Sequence, residues 1–505
     1  MTTEEKKIDW ATMLIPFGIV IAMMAVFMIS PESSKNIVDT MRGFFGDTIG
    51  IYYPLIAIGS VLCSLYVALT PKYGDVRLGN IDKPAYSNFK WGTMIFTSTM
   101  AADIMFYSLI EWALYGGEQH VQDLGGTQMW APTFTLFHWG PLAWGFYVIL
   151  AVCFAFMIHV RKRKRQRFSE ACRPLLGDKV DGFWGKVIDV TAIFAIVCAT
   201  ATTFSLATPL LTNAMGSVFG FEATTTVTIL VLLLICAVYT ITVLFGITGI
   251  SKLAGICSYF FFAILLYFLL IGGETGYIIE TGFQSLGNLL QNFIGLSTYM
   301  DPLRKNGFAQ NWTVYYWAYW LVWCVATPFF IALISKGRTI RNVVFGSFGW
   351  GLAGTYLSFI ILGNYGLAQQ MKHGVDAIGH ISNGGEMYEA ILMIFGTLPL
   401  PELALILLTI TMVAFYSTTL DGITYVTSAY SYKQISPDEE PARGIRGFWS
   451  IMLILLPIAL LFAQNSLYSL QGVTIIAAFP VGILLILIVI SFFKDFKDSG
   501  VGKNR

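Results

Sequence analysis

Apolar stretches of about twenty residues recur along the whole chain and alternate with short polar loops. About 20 apolar residues in a helix cross the hydrocarbon core of a bilayer, so each stretch predicts a transmembrane helix. The pattern therefore predicts an all-α integral membrane protein with about twelve spans. The expected spans are residues 11–30, 50–70, 91–115, 138–160, 187–212, 226–247, 252–272, 313–335, 343–366, 403–431, 448–465 and 470–493.

Basic residues are concentrated in alternate loops between these spans. Short loops rich in Lys and Arg remain in the cytoplasm, so they predict the orientation. The basic loops are residues 72–83, 161–167, 336–341 and 433–446, and the tail 494–505 is basic as well. The run RKRKRQR at 161–167 could instead be a nucleic-acid patch, but it directly follows a span, which favours an orientation signal. We expect both termini to be cytoplasmic, in the inner membrane of a bacterial or archaeal cell.

Composition separates this chain from soluble proteins. Its charged fraction is 12% and its hydrophobic fraction 56%, whereas soluble globular proteins carry roughly 25% charged residues. The net charge of +1 gives no reason to expect a nucleic-acid partner. Seven cysteines and five histidines are scattered without a CxxC pair or a cluster, so we expect no metal and no cofactor. An integral-membrane lipid enzyme is a less favoured alternative, because it would need a nucleophile or a His-rich motif at a span end. A sensor is a further alternative, and it would need a soluble signalling extension.

Three carboxylates lie inside the predicted spans. Asp103 and Glu111 fall in the third span, and Asp421 falls in the tenth. Ionisable side chains are costly inside a membrane, so each is a functional candidate. Positions 103 and 111 are eight residues apart and share one side of a helix. The alternative for each is a structural polar contact with a neighbouring helix.

Two segments are unusually rich in aromatic residues. Residues 312–323 read WTVYYWAYWLVW and residues 137–147 read FHWGPLAWGFY. Trp and Tyr also form belts at membrane interfaces, an alternative that fits Trp139 and Trp312 best. Trp320 and Trp323 lie deeper in their span. Indole and phenol faces attract a quaternary ammonium, which spreads its positive charge over methyl groups. The aromatic segments therefore predict a site for such a cation.

Three segments carry a resemblance to a known family. They are FHWGPLAWGFY, the aromatic stretch with its following loop ISKGRTIR, and TTLDG at residues 418–422. On these residues the chain resembles the betaine/carnitine/choline transporter family over nearly its whole length. The resemblance implies a homotrimer in membrane lipid and a LeuT-like fold, an inverted repeat of five plus five helices preceded by two extra helices. It divides the chain into an N-terminal tail (1–10), two peripheral helices (11–90), a first repeat (91–272), an extracytoplasmic connecting segment (273–312), a second repeat (313–493) and a C-terminal tail (494–505).

The same resemblance assigns roles to particular residues. Trp139, Trp144, Tyr147 and Trp320 match the family's aromatic box for a trimethylammonium group, with Trp317, Tyr319 and Trp323 close by. Trp312 and Glu111 match positions near the outer vestibule. Met100, Phe415, Thr418 and Thr419 match a sodium site, and Met100 also adjoins the substrate. The glycine-rich break of many members is replaced here by TMAAD at residues 99–103.

Asp103 bears on which substrate is carried. Choline-carrying members have Asp at the matching position and betaine carriers have Gly, so the resemblance favours choline. The aromatic segments look closer to carnitine and γ-butyrobetaine exchangers, which leaves those substrates and glycine betaine as alternatives. Coupling to Na⁺, to H⁺ or to substrate exchange also stays open. Cys257 occupies the position of an Arg that replaces one sodium in carnitine exchangers, which argues against their sodium-free mechanism.

Overall fold

The computed structural model describes residues 7–98, 101–244, 258–435, 439–462 and 467–501. Met100 and Cys257 lie outside the described residues. Within those ranges the chain is helical, without a named strand and with two isolated bridges, between Ile8 and Tyr432 and between Arg77 and Thr339.

The first half of the chain contains fourteen described α-helices. They are α1 (Trp10–Ile29), α2 (Pro31–Arg42), α3 (Tyr52–Leu69), α4 (Pro71–Gly74), α5 (Asn88–Thr97), α6 (Ala102–Gly116), α7 (Gln119–Leu124), α8 (Thr127–His138), α9 (Pro141–Ala155), α10 (Phe168–Ala171), α11 (Arg173–Leu176), α12 (Phe183–Phe219), α13 (Thr225–Leu244) and α14 (Ser258–Ile271). Short π-helical segments extend some of them, at Gly43–Thr48, Phe156–Val160 and Tyr267–Ile271, and a 3₁₀ turn covers Gly177–Asp181.

The second half continues the same helical pattern. Its helices are α15 (Thr275–Thr298), α16 (Val314–Trp323), α17 (Thr327–Ile334), α18 (Ile340–Ser358), α19 (Asn364–Lys372), α20 (Ala377–Ser382), α21 (Met387–Phe395), α22 (Pro401–Tyr430), α23 (Arg443–Phe462) and α24 (Leu467–Ser499). Two further π-helical segments, Ala309–Thr313 and Phe359–Gly363, precede α16 and follow α18.

All twelve predicted spans have a helical counterpart among the described residues. Eight helices, or helices continued through a short break, are long and apolar enough to cross a membrane. Counting each of three bent helix pairs as one span raises the number to as many as eleven, and Thr225–Ile241 is a shorter apolar helix. The multi-span, all-helical class is therefore confirmed.

One segment differs from the prediction, and a second contains a helix that the apolar pattern did not show. The fourth span starts at Thr127, eleven residues earlier than position 138, because the polar-looking stretch of α8 is buried against α6 and α15. The expected connecting segment 273–312 contains a 24-residue helix, α15, which bends 109° away from α14. Its exposed apolar residues lie at spacings of four and seven, the pattern of an amphipathic helix. They are Ile279, Phe283, Leu290 and Ile294.

The first helix of each predicted repeat is broken. The pair α5 and α6 bends by 67°, and the pair α16 and α17 bends by 52°. Ala101 has an extended backbone at the first break, with φ −131° and ψ 160°. Pro328 lies in the first turn of α17, after the second break, where a proline has no need of a helical N–H partner. Discontinuous helices at matching positions are typical of inverted-repeat transporters, although the repeat boundaries stay a prediction.

The basic loops meet on one side of the molecule. The backbone N–H of Leu78 donates to the carbonyl of Arg338 at 2.8 Å, and Arg167 pairs with Asp9 of the N-terminal segment at 3.2 Å. Further contacts on this side join Arg161 and Arg163 to Asp495, and Arg341 to Asp75. The fold thus brings together the loops that the charge pattern assigns to one side. That this side is cytoplasmic stays a prediction.

Candidate functional site

A cavity of about 500 Å³ lies among α5, α6, α9, α16, α17, α22 and α23. A cavity of this size suits a small organic ligand. Many of the residues singled out in the sequence meet here: Asp103, Trp139, Trp144, Tyr147, Tyr319, Trp320, Trp323, Thr418, Thr419 and Asp421. Residues from distant parts of the chain therefore form one site.

Trp320 is the centre of the aromatic wall. Its ring lies 4.9 Å from Tyr147, 5.6 Å from Trp139 and 5.8 Å from Trp144, measured between centroids. The rings are tilted or edge-on to one another, at 54°, 69° and 57°. We name Trp139, Trp144, Tyr147 and Trp320 the aromatic box. All four line the cavity and none is more than 7% exposed.

Local backbone features position two of these rings. Trp139 lies between α8 and α9, where Gly140 and Pro141 restart the helix. A Cβ at Gly140 would lie 2.5 Å from the carbonyl oxygen of Leu136, so only glycine fits there. Trp144 packs directly on Gly351 of α18, where an added Cβ would lie 2.4 Å from the indole ring. These glycines allow the helices to approach closely and fix the box from behind.

Asp103 places a carboxylate in the same cavity. It lies in the first turn of α6, directly after the break, where the positive end of the helix dipole stabilises a negative charge. Tyr319 donates to its Oδ2 at 2.6 Å, and the Tyr319 hydroxyl also bonds the hydroxyl of Thr203. The other oxygen, Oδ1, is buried and has no hydrogen-bond partner among the residues that the structure describes. A lone buried acceptor in a cavity is a place for a ligand's positive charge or hydroxyl.

The cavity also contains unused donors. Within the described ranges, the indole N–H groups of Trp144, Trp320 and Trp323 are buried without a partner. Such groups could donate to a carboxylate or hydroxyl of a ligand. The residues that line the cavity therefore carry aromatic faces, one carboxylate oxygen without a partner and several indole donors without a partner. This set of groups is suited to a small onium compound.

Other predicted residues lie away from the cavity. Trp317 does not line it, and its ring packs 5.4 Å from Phe137 and 5.7 Å from His138, so the structure does not place it at the substrate position. Trp312 is buried and donates through Nε1 to Glu118 at 2.7 Å. Because Trp139 is buried as well, neither ring belongs to an exposed interface belt.

The predicted sodium site is only partly described. Thr418 and Thr419 line the cavity, whereas Phe415 is fully buried and packs 5.7 Å from Phe261. Met100 lies outside the described residues. The sodium site therefore stays a prediction.

Sequence reasoning missed the far end of the cavity. Gln166 and Arg446 line it there, together with Tyr425, Val426 and Ala429. Both polar residues belong to basic loops that indicated orientation and gave no sign of lining a cavity. From Thr418 to Ala429 the cavity follows α22 for roughly 17 Å. It therefore extends from the aromatic box toward the side of the basic loops.

The opposite side of the box is closed by hydrogen bonds. Glu111 is 0% exposed and accepts from Tyr115 at 2.6 Å, Tyr316 at 2.7 Å and Trp139 at 2.8 Å. This fully bonded carboxylate matches the structural alternative considered for Glu111. Its predicted place in an outer vestibule stays a prediction.

Comparison with known proteins agrees with this geometry. The family model for BCCT, the betaine/carnitine/choline family transporters, matches residues 11–500. The glycine betaine transporter OpuD of Bacillus subtilis (strain 168) is 30% identical over 498 residues, which cover 96% of this chain and 94% of the relative. The uncharacterized transporter YeaV of Escherichia coli (strain K12) is 28% identical over 451 residues, 88% of this chain and 92% of the relative.

The match runs through both aromatic segments, the broken helices and the TTLDG stretch, and it covers nearly the whole chain. Members of the family are transporters and not enzymes, and they cross the membrane many times. The chain therefore belongs to the betaine/carnitine/choline transporter family.

Proposed function

We propose that this protein carries choline across the inner membrane, with the trimethylammonium group held in the aromatic box. The observation that carries the proposal is the carboxylate of Asp103, a residue that lines the same cavity as the four rings and whose Oδ1 has no hydrogen-bond partner among the described residues. A fixed negative charge favours a ligand with net positive charge and opposes one that adds a carboxylate. Choline is such a cation, and its hydroxyl can donate to that oxygen.

The magnitudes are consistent with a transported substrate. Each aromatic face contributes about 0.5 to 2 kcal/mol to binding a desolvated cation. Four faces and one carboxylate therefore support binding in roughly the micromolar to millimolar range after the entropic cost of association. A transporter needs affinity of this order because a much tighter ligand would be released slowly.

The asymmetry of the cavity supports transport by alternating access. The cavity reaches Gln166 and Arg446 on the side of the basic loops, while Glu111 and its donors close the other side. With the basic side in the cytoplasm, the structure corresponds to an inward-facing state. The broken pairs α5 with α6 and α16 with α17 are the elements on which the two states would differ.

Coupling and assembly are part of the same proposal. Thr418 and Thr419 line the cavity, and their hydroxyls favour a sodium site near the break. A proton taken up by Asp103 or Glu111 is the other route by which an ion gradient could drive uptake. The homotrimer implied by the resemblance also stays a proposal.

Glycine betaine is the second candidate substrate. The relative OpuD is named as a glycine betaine transporter, and the free indole N–H groups of Trp144, Trp320 and Trp323 are suited to a carboxylate. The carboxylate of glycine betaine would have to be kept away from Asp103. Otherwise Asp103 would have to be protonated or paired with a co-transported cation.

The test is uptake of labelled choline, glycine betaine and carnitine into proteoliposomes. Sodium, a proton gradient and internal substrate are varied independently, which separates symport from exchange. We expect choline to be taken up best, and Asp103→Gly to abolish choline uptake and to admit glycine betaine. Unchanged choline uptake in Asp103→Gly would contradict the role of the carboxylate.

Trp320→Leu is the matched control for this test. It removes the central ring of the box without altering charge, so it should weaken choline and glycine betaine alike. An unchanged apparent affinity for both would remove Trp320 from the site.

A further inference from the structure

Glu111 and the aromatic box share one residue. Trp139 donates its indole N–H to Oε2 of Glu111 at 2.8 Å, and its ring lines the cavity 5.6 Å from Trp320. Trp139 therefore does two things: its N–H is bonded inside the protein, and the residue forms part of the cavity wall.

The backbone alone does not hold the indole in this position. Trp139 follows the last residue of α8 and lies at the bend before α9, outside both helices. Its carbonyl accepts from the hydroxyl of Thr355, which fixes the main chain but not the side chain. The bond to Glu111 is the hydrogen bond that orients the ring.

Glu111 is itself fixed from three directions. Tyr115 belongs to its own helix, Tyr316 belongs to α16, and Trp139 lies at the junction of α8 and α9. Tyr115 Oη also lies 2.7 Å from Nδ1 of His138, which extends the network. A buried carboxylate with this many donors has little freedom to move. It can therefore hold Trp139 firmly.

We propose that Glu111 is a positioning residue for the substrate site, which sets the affinity for the quaternary ammonium by orienting Trp139 without touching the ligand. The proposal rests on the proposed function, because it needs an onium group against the Trp139 ring. One carboxylate, Glu111, then both closes one side of the box and sets the position of a ring in the box.

A neighbouring pair provides a matched control. Glu118 accepts from Nε1 of Trp312 at 2.7 Å, so it makes the same kind of carboxylate–indole bond. Trp312 does not line the cavity. Glu118→Gln therefore perturbs a carboxylate–indole bond whose indole packs on Tyr115, 5.0 Å away between ring centroids, and on no ring of the box.

The experiment is a double-mutant cycle on the full-length protein. Equilibrium binding of labelled choline is measured for the wild type, Glu111→Gln, Trp139→Phe and the double variant. We expect Glu111→Gln to raise Kd roughly three- to tenfold, and to change Kd less than about twofold when Trp139 is already Phe, because the bond that it acts through is gone. Glu118→Gln should change Kd less than about twofold.

The same fold-change of Glu111→Gln in both backgrounds would overturn the proposal, as would no change in the wild-type background. A merely structural role would lower the thermal midpoint without coupling the two positions. If Glu111→Gln does not fold, Glu111→Asp withdraws the carboxylate from Trp139 by one methylene and takes its place in the cycle. If the wild type binds glycine betaine and not choline, the choline assignment fails, and the cycle is run with glycine betaine.

Discussion

The two buried carboxylates of α6 are used differently. Asp103 and Glu111 are eight residues apart on one helix, and both are almost completely buried. Glu111 accepts three hydrogen bonds from neighbouring side chains, whereas Asp103 accepts one from Tyr319 and keeps Oδ1 free among the described residues. A buried carboxylate with a full set of donors is part of the framework, whereas one with an unpartnered oxygen is available to a ligand.

The largest expected effect is on stability at Glu111. Glu111→Leu leaves the donors of Tyr316 and Trp139 buried without an acceptor and leaves Tyr115 with His138 alone, so it should destabilise the protein by roughly 3 to 5 kcal/mol. The thermal unfolding midpoint in detergent measures the loss. Asp103→Leu is the matched variant and should cost clearly less. Equal losses at the two positions would break the comparison.

Asp103→Asn should separate binding from stability. The amide oxygen can still accept from Tyr319, but the negative charge is lost, so choline affinity should fall about tenfold, or about 1.4 kcal/mol. Thermal stability should change by less than about 0.5 kcal/mol because no buried donor loses its acceptor. Paired binding and unfolding measurements check both values. A large loss of stability with intact binding would reverse the roles given to the two carboxylates.

Tyr319→Phe tests the hydroxyl that donates to Asp103. It removes the hydrogen bond to Oδ2 of Asp103, and the carboxylate then has a weaker hold on its position. We expect a loss in choline affinity of roughly 0.5 to 1.5 kcal/mol. Thr203→Val, which removes the hydroxyl behind Tyr319, should have a smaller effect in the same binding measurement. A larger effect from Thr203→Val would contradict this order, in which Tyr319 bonds Asp103 directly and Thr203 acts only through Tyr319.

The smallest effect is expected at a carboxylate outside the spans. Asp181 is hydrogen-bonded by Arg173 at 2.8 Å and by Arg165, and these bonds lower its pKa to about 2. Its contribution is therefore present above its ordinary pKa near 4 and is lost as the pH falls toward 2. Because Asp181 is 42% exposed, solvent screening limits the effect of Asp181→Asn to less than about 1 kcal/mol. Unfolding at pH 7 checks this value, and a loss comparable to that of Glu111→Leu would contradict it.

Sequence patterning predicts the helices and most of the site. Trp320, Trp144 and Asp103 stand out because large aromatic residues and a carboxylate inside a span need an explanation, and all three line the cavity. Trp317 could not be separated from Trp320 in this way. Three residues apart on one helix, they differ only in their neighbours, and Trp317 packs on Phe137.

Other features depend on contacts that one sequence does not reveal. The role of Glu111 depends on side chains from α6, α16 and the junction of α8 and α9, and nothing in the spacing of positions 111, 139 and 316 brings them together. Gln166 lines the cavity, but it lies within a basic loop whose charge predicts only the orientation of the protein. Helix α15 has no long apolar run because polar residues such as Thr281, Ser285 and Asn288 are buried against its neighbours, while the apolar Ile279, Phe283, Leu290 and Ile294 are exposed.

An onium group should occupy the aromatic box beside the unpartnered oxygen of Asp103. A structure of the protein with bound choline shows whether it does. We expect the choline nitrogen within about 6 Å of the ring centroids of Trp320 and Trp139, with the hydroxyl toward Oδ1 of Asp103. Choline bound elsewhere, with these rings in contact only with one another, would contradict it.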